Sequence, residues 1–403
     1  MKNAVMYGGG NIGRGFIGAL LSASGYKVTF IDVAPAVIES LNSRGSYPVR
    51  VVSNEGHRDI MVENVCAVNG NDASAAAEAI ASCDVMATAV GVKILKFIVP
   101  NIVAGIRLRM ARGGSPLNII ICENLMDANK VLEGMLKADL SPDEIAWFDA
   151  NVGLVEASIG RMVPVQTDAM KDGDPMRVCV ESYGFLPVDK AAFKGGIPEI
   201  KNMIPFEPFD FYIKRKLYVH NMGHAVCAYL GDILGDELIC RAIDREEVYS
   251  VVKSAMQESA RALSRRYKVP LEDILLHVSD LLRRFTNSAL GDTCARVGGD
   301  PARKLSPQDR LIGSATLALQ EGVCPANIAV GAAAGVRRYI FETEGLSQSP
   351  ETAAAVLKDV SGLDPEGNLA RLILRWYSMI LDGATVGELR RAADAASAPD
   401  GVV

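Results

Sequence analysis

Residues 211–231, FYIKRKLYVHNMGHAVCAYLG, hold the residue types that could move a proton. Apolar side chains recur at helical spacing (Phe211, Ile213, Leu217, Val219, Met222, Val226, Tyr229, Leu230) with no proline among them, which predicts one helix. At about 100° per residue, His220 lies about 40°, His224 about 80° and Asn221 about 140° round from Lys216. One arc therefore carries an amine, two imidazoles and a carboxamide. A lysine among apolar residues loses hydration of its ammonium form, so its pKa falls and the amine becomes a base near neutral pH. The same stretch also reads as a core helix with solvated basic residues near its start.

The elements that must serve such a base begin at the N-terminus. Residues 2–7, KNAVMY, read as a buried strand, followed by GGGNIGRGFIGALLSASG and a second strand, KVTFIDV, ending near Asp32. Gly8, Gly10 and Gly13 form G-x-G-x-x-G, with Asn11 and Ile12 inside the loop. Gly8 permits the tight turn, Gly10 admits a pyrophosphate against the backbone, and Gly13 lets the helix pack on the strand. The helix N-terminus then faces the phosphate charge. Asp32 stands about 20 residues after the last glycine, where a carboxylate accepts from a ribose 2′-OH and repels a 2′-phosphate. The expected cofactor is NAD. Arg14 either helps hold the pyrophosphate or is solvated.

Strand and helix continue to alternate. A helix is expected at 34–44, a small antiparallel excursion at 47–68 and a helix at 72–81. The strand 84–91 ends in small residues, placing Ala89 and Val90 beside the cofactor. A helix at 93–111 leads to the strand 117–124, tipped by Glu123 and Asn124. Ligands in doubly wound sheets sit at the carboxyl ends of strands, so Asn124 either contacts the substrate or nicotinamide or caps the next helix. Strands at 151–164 and 176–182 are expected to extend the sheet, and the Gly- and Pro-bearing stretch 194–211 to connect to a second domain.

After residue 208 the pattern is helical: 208–231, 236–242, 245–267, 270–284, 306–320, 325–341, 349–359, 366–381 and 385–396, with the tail fraying after 390. An irregular loop at 284–313 carries Arg296, Arg303, Lys304 and Arg310. Such a cluster suits a phosphate or carboxylate, or else pairs with Asp292, Asp300 and Asp309. The fold class is α/β: a Rossmann-type doubly wound sheet at 1–200, then a mostly helical substrate-binding domain at 201–403 carrying the lysine.

Composition narrows the partners. The 403 residues are 49% hydrophobic and 22% charged, with a net charge of −6. That balance supports ample core and argues against a nucleic-acid partner. The eight cysteines are scattered with no C-x-x-C pair, and the four histidines show no metal-ligand spacing, so reduced thiols and no metal are expected. There is no basic-then-apolar leader and no apolar run of spanning length, so a cytoplasmic protein without membrane contact is expected.

K-x-x-x-x-N-x-x-H, formed by Lys216, Asn221 and His224, resembles the signature of the polyol-specific long-chain dehydrogenases/reductases, the mannitol dehydrogenase family. GGGNIGRGFIG (8–18), SPLNIIICEN (115–124), VDKAAFKG (188–195), RKLYVHNMGHAVCAYLG (215–231) and RVGGDPARKLSPQDRL (296–311) resemble the branch acting on mannitol 1-phosphate at C5. The likeness covers most of the chain to about residue 345. It implies a zinc-independent, NAD-dependent monomer interconverting D-mannitol 1-phosphate and D-fructose 6-phosphate. It implies Lys216 as general base, Asn221 and Asn124 as donors to the reacting oxygen, and His224 as positioning the neighbouring hydroxyl. Arg296, Arg303 and Lys304 would grip the phosphate, His220 being only a neighbour. One departure touches substrate choice: SIGRMVP has Gly160 where the family often has Asp. A related polyol or hexuronate reductase, and an NAD-binding protein without catalysis, stay open as alternatives.

Overall fold

The computed structural model of the chain describes residues 1–397. The chain divides into two compact units, Met1–Asp210 and Phe211–Val403. The first contains eleven strands: β1 (Lys2–Tyr7), β2 (Tyr26–Asp32), β3 (Ser46–Ser53), β4 (Gly56–Glu63), β5 (Val65–Asn69), β6 (Val85–Thr88), β7 (Leu117–Ile121), β8 (Val152–Glu156), β9 (Val178–Val180), β10 (Leu186–Asp189) and β11 (Met203–Phe206). Six of them form one parallel sheet in the order β5-β2-β1-β6-β7-β8. Counted within that sheet, the order is the doubly wound 3-2-1-4-5-6, and the crossover direction reverses between β1 and β6.

Both faces of this sheet are buried, which is why its strands are continuous apolar runs and not alternating ones. Successive side chains still point to opposite faces. Ala4 and Met6 of β1 pack with Phe16, Ile17 and Leu21 of the first helix, whereas Val5 and Tyr7 pack with Ile98 and Ile102 on the other side. Phe30 and Ile31 divide in the same way.

The expected antiparallel excursion is the β3–β4 hairpin, after which β5 returns to the main sheet. Two expectations about the sheet are corrected. Only Val152–Glu156 of the stretch 151–164 is a strand, paired with β7. Residues 178–180 do not extend the main sheet, because β9 pairs with β3 in a separate three-stranded sheet. Its Val178 and Val180 cover Gly15 of the first helix, where a Cβ would lie 2.7 Å from a Val178 methyl. The stretch read as a connector contains β11, which pairs with β10.

The regular elements that follow are helices, from Asp210–Arg215 at the unit boundary to Val386–Ala396. At its centre runs Met222–Leu234, where Met222, Val226, Tyr229 and Leu230 are all buried. The loop 284–313 is less irregular than expected, with short helical pieces at Ser288–Leu290, Cys294–Gly298 and Pro301–Lys304. The tail does not fray at 390. Thr385 and Glu388 form a capping box, Val386, Leu389 and Ala393 are buried, and the helix holds to Ala396. Residues 398–403 lie outside the described residues.

Helix Ala326–Glu342 starts deep in the core, and a side chain from another helix satisfies its first amides. The buried Glu258 carboxylate accepts from the Asn327 and Ile328 backbone N–H groups at 2.9 and 3.0 Å and from Asn327 Nδ2 at 2.8 Å. Glu258→Gln turns an NH2 toward one of those donors and leaves it without an acceptor. The expected cost is about 1–3 kcal/mol in urea unfolding, and unchanged stability would show that the acceptor is replaceable.

Candidate active site

The glycine loop lies where the sheet order reverses. Gly8 has φ +102°, and a Cβ there would stand 2.5 Å from the Ala89 carbonyl oxygen. The loop after β1 therefore abuts the turn after β6. At Gly13 a Cβ would meet the Gly8 carbonyl oxygen at 1.9 Å, so no other residue allows this close return of the helix. A Cβ at Gly10, by contrast, would meet nothing within 4 Å. Gly10 and Asn11 are exposed and Ile12 is half-buried, so the first-turn amides face an open approach. The residues present therefore fit a dinucleotide pyrophosphate at this helix terminus.

Asp32, half-buried at the end of β2, is tied into the loop. One carboxylate oxygen accepts the Gly9 N–H at 2.6 Å and the other the Ala34 N–H at 2.9 Å. A carboxylate has about four acceptor positions, so it retains capacity for ribose hydroxyls. Glu123 has a role that its sequence position did not reveal. It is buried, and its two oxygens accept the Val90 and Gly91 N–H groups at 2.9 and 2.8 Å. It sets the 89–91 turn from the end of β7.

Arg14 does neither thing expected of it. It is buried, with Nε donating to the Gly9 carbonyl at 2.6 Å and a terminal nitrogen to the Met176 carbonyl at 2.5 Å, so it braces the loop from behind. Asn124 is exposed past the end of β7. It does not cap the following helix, whose N-cap position is Asp127. At Gly160 a Cβ would stand 3.2 Å from the Tyr183 ring, so that ring takes the space of the side chain the resemblance calls for. Arg161 beside it donates to the Gly15 carbonyl at 2.9 Å.

In the second unit the expected helix is present, with an important difference. Residues Lys216–Asn221 form a π turn between the α-helical segments Asp210–Arg215 and Met222–Leu234. The Met222 N–H reaches back five residues to the Leu217 carbonyl. A π turn brings residue i+5 over residue i, so Asn221 lies one turn from Lys216 on the same face, not about 140° away. His224 follows three residues later on α-helix and joins the same face.

The Lys216 amine is lowered to about 8, first by burial and then by the Arg310 guanidinium. His224 stacks on Phe285, with centroids 4.8 Å apart and planes 12° apart. Its Nε2 stands 3.6 Å from Asp292. Burial, with Arg296, Arg310 and Arg284 nearby, brings the imidazole down to about 4 against the pull of Asp292. His220 is buried and pushed well below the ordinary imidazole value, so it lies beside Lys216 as a neutral ring.

The basic loop divides. Arg296 pairs with Asp292, and Arg303 pairs with Asp300 at 2.6 Å and Asp309 at 3.2 Å. Lys304 is buried, and burial with Arg310 and Arg303 lowers its amine to about 8. Arg310, paired with Asp309 at 2.7 Å, acts on Lys216, His224 and Lys304 together. Sequence reading left it out of the set that would grip the phosphate. Its proximity to Lys216, about ninety positions back along the chain, has no local signal.

Among the described residues no group of three or more His, Cys, Asp or Glu side chains stands arranged to hold a metal ion. No helix among them is long and apolar enough to cross a membrane. The His224 ring provides a direct check of this electrostatic picture. In an NMR titration it is expected to stay neutral at pH 6, where an imidazole of ordinary pKa would be about three-quarters protonated. A His224 midpoint above 6 would show that burial and the surrounding arginines do not act as described.

Two family models match the chain: the mannitol dehydrogenase Rossmann domain over residues 2–202 and the mannitol dehydrogenase C-terminal domain over residues 209–363. Among solved structures, D-sorbitol dehydrogenase in substrate-free form is similar with a TM-score of 0.79 at 14% identity, over 96% of this chain and 94% of that one. Mannitol 2-dehydrogenase of Pseudomonas fluorescens, in a ternary complex with NAD and D-mannitol, gives a TM-score of 0.71 at 14% identity, over 98% and 94%. At such identity the structural likeness speaks for the fold, while the two family models together cover well over half of the chain. The chain belongs to the mannitol dehydrogenase family.

Proposed function

We propose that the protein is an NAD-dependent, metal-independent oxidoreductase that interconverts a polyol and its ketose, with D-mannitol 1-phosphate and D-fructose 6-phosphate as the pair. The observation that carries this reading is Lys216, an amine that burial and Arg310 lower to about 8, on a π turn with Asn221 and followed on α-helix by His224. NAD, when bound, accepts the hydride from the carbinol carbon. Gly8, Gly10, Asn11, Ile12 and Gly13 would hold its pyrophosphate, Asp32 its ribose, and Ala89 and Val90 would line the approach.

In oxidation the neutral Lys216 Nζ takes the hydroxyl proton. Asn221 and Asn124 donate hydrogen bonds to the oxygen, which bears partial negative charge as the proton leaves. His224, neutral at working pH, orients the adjacent hydroxyl. The reading takes the first unit to hold NAD and the second to move the proton. It assigns the protein to the cytoplasm.

Lys304 and Arg310, with Arg296 and Arg303, supply the positive potential that a phosphate would meet. One observation favours a second reading, a free polyol or hexuronate as substrate: Arg296 and Arg303 already have carboxylate partners. Arg310 is paired with Asp309 in the same way, so a phosphate must displace such pairs or be held by Lys304 alone. An assay panel of mannitol 1-phosphate, glucitol 6-phosphate, mannitol, arabinitol phosphate and hexuronates separates the readings. Lys304→Ala is expected to raise KM for the phosphorylated polyol at least tenfold with little change for the free polyol. An equal effect on both supports the second reading.

The base assignment has its own pH signature. Lys216 must be unprotonated to accept the proton, so kcat/KM for oxidation rises through about pH 8 and then levels, while reduction falls over the same range. Lys216→Ala should cost about a thousandfold in kcat; near-wild-type turnover by that variant would sink the assignment.

A further inference from the structure

Tyr218 sits inside the π turn, two residues after Lys216, and is buried. Its hydroxyl donates to the Gln308 carbonyl at 3.2 Å and accepts from Lys214 Nζ at 3.2 Å. Gln308 immediately precedes Asp309 and Arg310. The Asp309 carboxylate holds the Arg310 backbone N–H at 2.6 Å and the Arg310 Nε at 2.7 Å. The contact also depends on Gly313: a Cβ there would lie 2.6 Å from the Tyr218 hydroxyl and 2.8 Å from the Gln308 carbonyl oxygen. One phenolic hydroxyl thus joins the turn that carries the amine to the loop that carries the guanidinium.

We propose that Tyr218 is a positioning residue whose hydroxyl, by tying the π turn to Gln308, holds the Arg310 guanidinium beside the Lys216 amine. The consequence for catalysis rests on the reading of Lys216 as the base. A cation held close disfavours the ammonium form, and its effect falls as the distance grows. The other ionisable groups around the turn do not substitute for Arg310. His220 and His224 on the same helix are held neutral. His277, on the neighbouring helix Leu271–Phe285, is also pushed well below the ordinary value, and Arg284 of that helix acts on the histidines. Asp292 is engaged with Arg296 and His224, and Glu258 with Asn327.

The test measures Lys216 directly. Acetylation of Lys216 by trace acetic anhydride is followed by peptide mass spectrometry from pH 6 to 11 on the full-length protein. Wild type, Tyr218→Phe and Arg310→Gln are compared. Wild type should show a midpoint near 8. Both variants should show it raised by about one pH unit, which at pH 8 lowers labelling about fivefold. The acid limb of kcat/KM for polyol oxidation should move with it, and in Tyr218→Phe kcat on the alkaline plateau should stay within about twofold. A purely structural role for Tyr218 would lower activity at every pH and leave the labelling midpoint in place. An unchanged midpoint in Tyr218→Phe overturns the proposal, whether or not Arg310→Gln shifts it. A shifted labelling midpoint with an unshifted rate profile supports the tie and instead removes Lys216 as the base.

Discussion

The electrostatics of the second unit depend on one arrangement, a lysine amine partly removed from water beside a fixed guanidinium. Burial alone makes an ammonium less favourable, and the Arg310 charge adds to it. Both effects need an element that holds the amine in place. The central helix does so because nine of the thirteen residues of Met222–Leu234 are buried, which fixes it against its neighbours. Glu258, capping the amides of Ala326–Glu342 from another helix, fastens one of its packing partners.

The π turn gives the motif spacing its physical sense. Five residues separate Lys216 from Asn221, a poor interval for sharing a face on an α-helix and a suitable one on a π turn. The following three residues to His224 are suited to α-helix, and that is where the helix resumes. Wide turn and narrow turn together bring three chemically different groups to one side. The basic loop is arranged by a comparable economy: Asp292, Asp300 and Asp309 hold the guanidiniums of Arg296, Arg303 and Arg310, while Lys304 is buried.

In the first unit, backbone proximity does the corresponding work. The glycine loop closes on itself at Gly13, touches the turn after β6 at Gly8, and stays open at Gly10. Buried and half-buried side chains hold this shape from behind. Arg14 grips the Gly9 carbonyl, Asp32 the Gly9 amide, and Glu123 the amides of Val90 and Gly91. Charged groups near an anion site are here mostly braces for the backbone whose amides face the ligand.

Much of this was legible in the residue order. Glycines at 8, 10 and 13 between two apolar runs, with Asp32 after the second, define a strand–loop–helix–strand unit through steric and hydrogen-bonding requirements that act over short distances. Apolar periodicity placed the helices of the second unit because burying one stripe is a local demand on sequence. Lysine, asparagine and histidine on one helix were visible for the same reason. The remainder was not legible, because it arises from contacts between distant positions. Val178–Val180 joins the β3 hairpin and not the main sheet because Gly15 leaves room for it, and nothing in three apolar residues says which neighbour they will have. Arg14 read as either a pyrophosphate contact or a solvated residue, and Met176 and Gly9 claimed it instead. Arg310 stood outside the set expected to grip the phosphate, and folding set it against Lys216. Residue types and spacing settle which chemistry is available; long-range packing settles which charges lie close enough to change a pKa, because electrostatic coupling depends on separation in space and not along the chain.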